Sequence, residues 1–430
     1  MTKYRKLHDF YIEEDEKSLL STLIPQYFID EDIDKINVEF AARFLQDELN
    51  LLLNSFLNGG FSHKGFVFYP LIKDVSEENA FRLKRLKKIA VFLNEKGYDF
   101  SRSIGKYDDS INAENFALVL SALYQDSSSI KNKGTKPIKK AKCNELDLGD
   151  YKKGDLGYLR PLSELKDYAG KNLKQYLSGF YLHGSLATKD YVKGWSDVDT
   201  LGIVSKETIN SHKSLLALRD KLYKTRHYFC KIDNLQHHGS IVISEYDLDN
   251  YCQPYFPVPI FKYAKSFFKD TEIDFRVRDF SIEALQKLFW FVSYFRKMNA
   301  ERLNFGSYET KNLLHMIALF PTMYLQAKGR LTYKKFSFEI AKKDFSKEEW
   351  KAIEKTTLIR SNWKPQATFP LIDPYLKINP ILYCQLNSGL MDMFEDVKKT
   401  NNIDIKSLVK EMHALSESAW SRIKKNVKRL

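Results

Sequence analysis

Asp197 and Asp199 stand one residue apart in the run SDVDTLGIV (196–204), whose apolar and β-branched residues predict a strand. Alternation along a strand puts both carboxylates on one face and Val198 on the other. Two acids aimed at one point repel each other unless a cation lies between them. Hard oxygen donors suit Mg2+, which completes its shell with water and substrate phosphates. A pair of such ions can hold the attacking and leaving oxygens of an in-line phosphoryl displacement. Upstream, GFYLHGS reads as a short strand ending in Gly184-Ser185. Glycine lets the backbone come close to a ligand, and a turn leading into a helix directs free N–H groups outward, as a triphosphate requires. Residues 186–196 leave room for a short helix and a return turn at Gly194, and Ser196 adds a hydroxyl beside the first aspartate.

Gly-Ser or Asp-X-Asp alone is a weak signal, but the two in this order, each on a strand, form a specific combination. The segment YLHGSLATKDYVKGWSDVDTLGIV (181–204) resembles the signature of the DNA polymerase beta-type nucleotidyltransferase superfamily, hG[GS] followed by [DE]h[DE]h. The resemblance covers residues 160–280. It implies a mixed sheet bearing three carboxylates, two Mg2+ ions (with Mn2+ as a substitute), and transfer of a nucleoside monophosphate from an NTP to a hydroxyl with release of pyrophosphate. On this resemblance Asp197 and Asp199 are catalytic metal ligands, and Gly184, Ser185 and Ser196 bind the nucleotide. The third acid is placed at Asp233, at the end of the predicted strand RHYFCKID, with Glu245 and Asp274 as alternatives.

Two further groups are candidates. His237 and His238 are adjacent, so on a strand they face opposite ways and only one can meet the site, the other reading of the pair being a strand end or turn. In YLQAKGRLTYKK, Lys328, Arg330, Lys334 and Lys335 mark a helix end. Lysine is favourable there through the helix dipole in any case, and Lys328 is the leading candidate to bind the triphosphate or an acidic acceptor. GxxxxGK[ST], HExxH and GxSxG do not occur, which leaves P-loop, zinc-protease and serine-hydrolase chemistry without a motif. The acceptor is open between a small molecule, RNA (notably tRNA) and a protein. The alternative function is a catalytically inactive nucleotide- or RNA-binding module.

These residues need a scaffold, and the chain alternates in character to supply one. Residues 1–135 read as mainly helical, with helices at 36–57 and 77–97 and a third capped by Asn112. The stretch DSSSIKNKGTKPIKKAKC (126–143) lacks apolar periodicity and reads as an exposed basic linker. Residues 136–280 mix strands and helices and carry the motif, including a helix at 163–177 capped by Ser163. Residues 281–430 return to helix, with a capping box at Ser346–Glu349. The expected fold is α+β, with helical regions on either side of a central mixed sheet. The 430 residues carry 68 Lys+Arg against 55 Asp+Glu, a net +13 that permits an anionic partner without naming one. No apolar run is long enough to span a membrane. The N-terminus lacks the apolar core of a secretory signal, and four scattered cysteines fit reduced thiols, so a cytoplasmic location is expected.

Overall fold

Leucines and phenylalanines at helical spacing form helix α1 (Val38–Asn58), which buries Phe44, Leu45, Leu49, Leu52, Leu53 and Phe56 along one side. The structure is a computed structural model describing residues 4–7, 10–19, 29, 32–58, 77–107, 112–130, 137–236, 238–300, 305–365, 369–394 and 397–427. A small hairpin, β1 (Tyr4–Leu7) and β2 (Phe10–Glu13), precedes α1. Helices α2 (Glu77–Glu95) and α3 (Ala113–Ser127) follow it, and the side chain of Asn112 caps α3 by accepting from Asn115 N.

The next strand, β3 (Ile138–Glu145), corrects the linker reading. Ala141 and Cys143 alternate inward while Lys139, Lys140 and Lys142 point to solvent. Two small inward residues suffice for a strand that lysines dominate in composition. Helix α4 (Leu156–Asn172) begins earlier than expected, so Ser163 lies inside it and caps nothing. Strand β4 (Leu177–His183) leads into the four-residue helix α5 (Gly184–Ala187), and a loop returns to β5 (Asp199–Val204).

Helix α6 (His212–Ile232) then crosses to β6 (Ile241–Ser244), which pairs parallel to β5. RHYFCKID is therefore the end of a helix and not a strand. Its buried residues Arg226, Phe229 and Cys230 continue the helical spacing of Leu215, Leu218 and Leu222. Strands β7 (Lys265–Ser266) and β8 (Thr271–Arg276) complete a mixed sheet of order β6-β5-β4-β7-β3-β8.

The C-terminal part contains α7 (Ser281–Ala300), α8 (Ser307–Ala327), α9 (Lys334–Lys342), α10 (Lys351–Ser361), α11 (Pro380–Phe394) and α12 (Ile405–Val427). The box at Ser346 and Glu349 is present, with each residue's N–H donating to the other's side chain. The architecture is α+β as expected, and among the described residues no helix is long and apolar enough to cross a membrane.

Two features of the packing matter for the site. The N-terminal helices do not form a separate core: Leu52, Leu86 and Leu123 share one cluster with Phe180, Val198, Phe229 and Val242 of the sheet and its helices. A second cluster joins α7, α8, α10 and α12, and it takes in Trp195 from the loop before β5. Helix α1 also grips the outer edge of β6. Asn50, Asn54 and Asn58 lie at successive i+4 positions; the Asn54 amide donates to Val242 O (2.7 Å) and accepts from Val242 N (2.8 Å), while Asn58 donates to Ser240 O (2.9 Å). One helix stripe thus pairs with the backbone of the strand beside the motif.

Candidate active site

The antiparallel register of β4 and β5 sets His183 opposite Asp199, so the Gly-Ser turn and the second aspartate meet by strand pairing alone. Gly184 has φ +71°, and a Cβ there would lie 2.0 Å from Asp199 Oδ2. Both the left-handed conformation and the close approach of the carboxylate require glycine. Ser185 and Ser196 also come together as read: Ser185 Oγ donates to Ser196 Oγ at 2.9 Å, and Ser196 Oγ accepts from Val192 N at 2.9 Å. These bonds close the loop between the turn and the aspartates. Trp195 pins its far end into the C-terminal core, stacked on the His315 ring at 4.8 Å.

Asp197 precedes β5 and is buried, while Asp199 begins the strand and is partly exposed. Between them sits His238, with Nε2 3.1 Å from Asp197 Oδ2 and 3.2 Å from Asp199 Oδ1. Burial opposes protonation of this ring, but the two carboxylates outweigh it and raise its pKa well above the ordinary value. With Nε2 protonated, the imidazolium holds the two acids together. The Gln236 side chain ties the elements at this point: its carbonyl accepts from Val198 N (3.0 Å), and its amide donates to Val198 O (3.3 Å) and His238 O (3.0 Å). His237 lies outside the described residues.

Asp233 is brought near Asp197 but does not join the cluster. It caps the end of α6, fully buried, with Oδ1 2.5 Å from Lys311 Nζ of α8. Burial raises its pKa and the Lys311 ammonium opposes that rise. The other two acids lie elsewhere. Glu245 begins a short turn after β6 and accepts from Lys206 N at 2.7 Å, while Asp274 is exposed on edge strand β8, 3.8 Å from Lys140.

One turn beyond Lys311, His315 places Nδ1 3.8 Å from Asp197 Oδ2, and burial pushes its pKa down to about 3, so the ring is neutral. Lys328 is paired with Asp344 at 2.7 Å on an exposed surface. The lysine of that stretch within reach of the aspartates is Lys334, at the start of α9, whose pKa burial lowers against their pull. The preceding Tyr333 donates its hydroxyl to Gly184 O at 3.2 Å.

Asp197, Asp199 and His238 offer one donor each, all within 4.8 Å of one another, as a single divalent ion requires. A second ion would need another acid, and among the described residues none joins this set. A separate group, Asp47, Cys252 and Glu283, is already filled by a cation: Arg278 Nη2 lies 2.5 Å from Asp47 and 3.0 Å from Glu283. The sequence therefore marked both aspartates and the Gly-Ser turn but missed Gln236, Lys311 and His315. The signal for the last two was a lysine and a histidine four apart, flanking the apolar run that follows in KNLLHMIALF. The chain matches no family model, no curated protein and no solved structure.

Proposed function

We propose that the protein is a metal-dependent nucleotidyltransferase that moves a nucleoside monophosphate from an NTP to an acceptor hydroxyl and releases pyrophosphate. The observation that carries this reading is the convergence of Asp197, Asp199 and His238 against the Gly184 turn. A divalent cation bound there would neutralise charge on the triphosphate and polarise the α-phosphoryl group. The chain's own residues bind and orient. Backbone N–H groups opening the Gly184–Ala187 turn receive phosphate oxygens, and the Lys334 ammonium supplies a nearby positive charge. The bond from the acceptor oxygen to the α-phosphorus forms as the bond to pyrophosphate breaks, and the acceptor proton passes to water. The acceptor is a small molecule, RNA or a protein.

A second reading, a catalytically inactive nucleotide- or RNA-binding module, draws on the Asp233–Lys311 pair, which neutralises the acid nearest the cluster. The experiment that separates them incubates the protein with Mg2+ or Mn2+, each labelled NTP, and pools of tRNA, total protein and small hydroxylated compounds. Labelled acceptor is expected, and it should be lost in the Asp197→Ala, Asp199→Ala double variant. Nucleotide binding without any labelled product would support the inactive module.

A further inference from the structure

We propose that His238 is a metal ligand and that the site holds one Mn2+ ion in preference to Mg2+, an inference that rests on reading the cluster as a divalent-cation centre. His238 Nε2 lies 3.1 and 3.2 Å from the two carboxylates. Neighbouring donors around an octahedral ion with bonds near 2.1 Å are about 3.0 Å apart, so the ring nitrogen stands at that spacing from each carboxylate. The other ring nitrogen fixes the tautomer. Nδ1 is 2.9 Å from Gly239 O, and a carbonyl can only accept, so Nδ1 carries a proton and Nε2 can present its lone pair to an ion. A ligating histidine whose second N–H is held by a backbone carbonyl is the ordinary outer-shell arrangement of metal sites.

The backbone that carries the ring is also held from several sides. Gln236 bonds to the His238 carbonyl and to both backbone groups of Val198. Thr200 Oγ1 donates to Ser240 Oγ at 2.9 Å across the start of the two strands. A Cβ on Gly239 would lie 2.0 Å from Asn58 Oδ1, so the end of α1 presses on the residue after the ligand. Charge and donor type then select the ion. The ion takes the place of the Nε2 proton, which leaves to water, and two carboxylates with the resulting neutral imidazole match one divalent cation, while the Asp233 carboxylate that a second ion would need is paired with Lys311. Mg2+ favours all-oxygen shells, whereas Mn2+ accepts carboxylate oxygens and binds imidazole more readily.

The test titrates metal-stripped full-length protein with Mn2+ in the absence of nucleotide and records pulsed EPR of the bound ion. One tightly bound Mn2+ per chain is expected, with nitrogen modulation that changes in protein grown on 15N-histidine. Mg2+ should displace it only in about hundredfold or greater excess. His238→Asp and His238→Gln should each abolish the modulation, and His238→Asp should narrow the preference for Mn2+ about tenfold. Circular dichroism checks the fold of each variant, and the isotope experiment needs no variant. Absence of nitrogen modulation in the wild type, its persistence in a folded His238 variant, two tight ions per chain, or equal competition by Mg2+ would each overturn the proposal. Nitrogen-coupled Mn2+ without nucleotidyl transfer would sink the proposed function alone. Transfer supported by Mg2+ with no nitrogen coupling would sink this inference alone.

Discussion

At the scale of residues, the site depends on carboxylates kept close to groups that tolerate little change. Gly184 is the sharpest case, because its φ of +71° and the 2.0 Å approach of Asp199 Oδ2 both exclude a side chain. Gly184→Ala should cost about 1 kcal/mol through the backbone alone. It should also push the Asp199 carboxylate out of the cluster. We expect a folded protein, by circular dichroism, whose Mn2+ affinity in calorimetry falls at least about tenfold; the loss should be larger than the backbone strain explains. Unchanged Mn2+ affinity would show that Asp199 does not hold the ion in this position. Lys287 gives a pH signature away from the site. It donates to Pro254 O at 2.6 Å, and burial pushes its pKa down to about 8. Between pH 8 and about 10.4 the unfolded chain binds this proton and the folded chain does not, so stability rises with pH in that window. The stability difference between Lys287→Met and wild type, from urea unfolding, should therefore shift in favour of wild type as pH rises through it. A difference that stays flat from pH 8 to 10.5 would contradict the depressed pKa.

At the scale of elements, helix α8 supplies what the motif lacks. Lys311 and His315 fall one turn apart, the first paired with Asp233 and the second beside Asp197. Lys311→Met strands a fully buried carboxylate and should cost about 3–5 kcal/mol, read from urea denaturation. Adding Asp233→Leu removes the orphaned charge and should recover most of that loss. No recovery would mean that Asp233 has another partner. These contacts also explain what the sequence could and could not disclose. The Gly-Ser turn and the spacing of the two acids are local, so Asp197, Asp199, Gly184, Ser185 and Ser196 were legible from order and spacing, although Asp197 stands before the strand rather than on it, so alternation along one strand is not what pairs the acids. Which of the two adjacent histidines meets the aspartates depends on β6 pairing parallel to β5 through a crossover helix, and a parallel register leaves no mark in the residues themselves. Asp233 was misplaced because the aromatic run RHYFCKID looks like a strand unless its spacing is read together with Leu215, Leu218 and Leu222 upstream. Strand β3 was hidden for the opposite reason, its inward residues being small and its outward ones lysines. The encounter of Cys230 on α6 with Cys384 on α11, Sγ atoms 3.1 Å apart, joins positions 154 residues distant that no spacing rule connects.

At the scale of the whole molecule, distant segments close on one another through buried charge. Arg296 of α7 is fully buried between Glu16 (2.7 Å) and Glu417 (2.6 Å), and Trp420 of α12 donates to Glu16 as well. Glu16→Ala should destabilise by about 3–5 kcal/mol. It should also release protection from hydrogen exchange first in residues 10–19, and uniform loss of protection would show that this segment is not a separable unit. The N-terminal helices are likewise integral to the sheet, since α1 supplies both a share of its core and the asparagine stripe that engages β6. That stripe has a consequence for how the molecule behaves among its own copies. β6 ends the sheet, and a bare strand end of this kind recruits any other strand it meets. Three asparagines on a helix occupy its donors and acceptors without offering a further edge, so the chain is shielded from self-association there. A chain cut back to residue 136 would lose that shield and should aggregate through β6 as soon as the sheet forms.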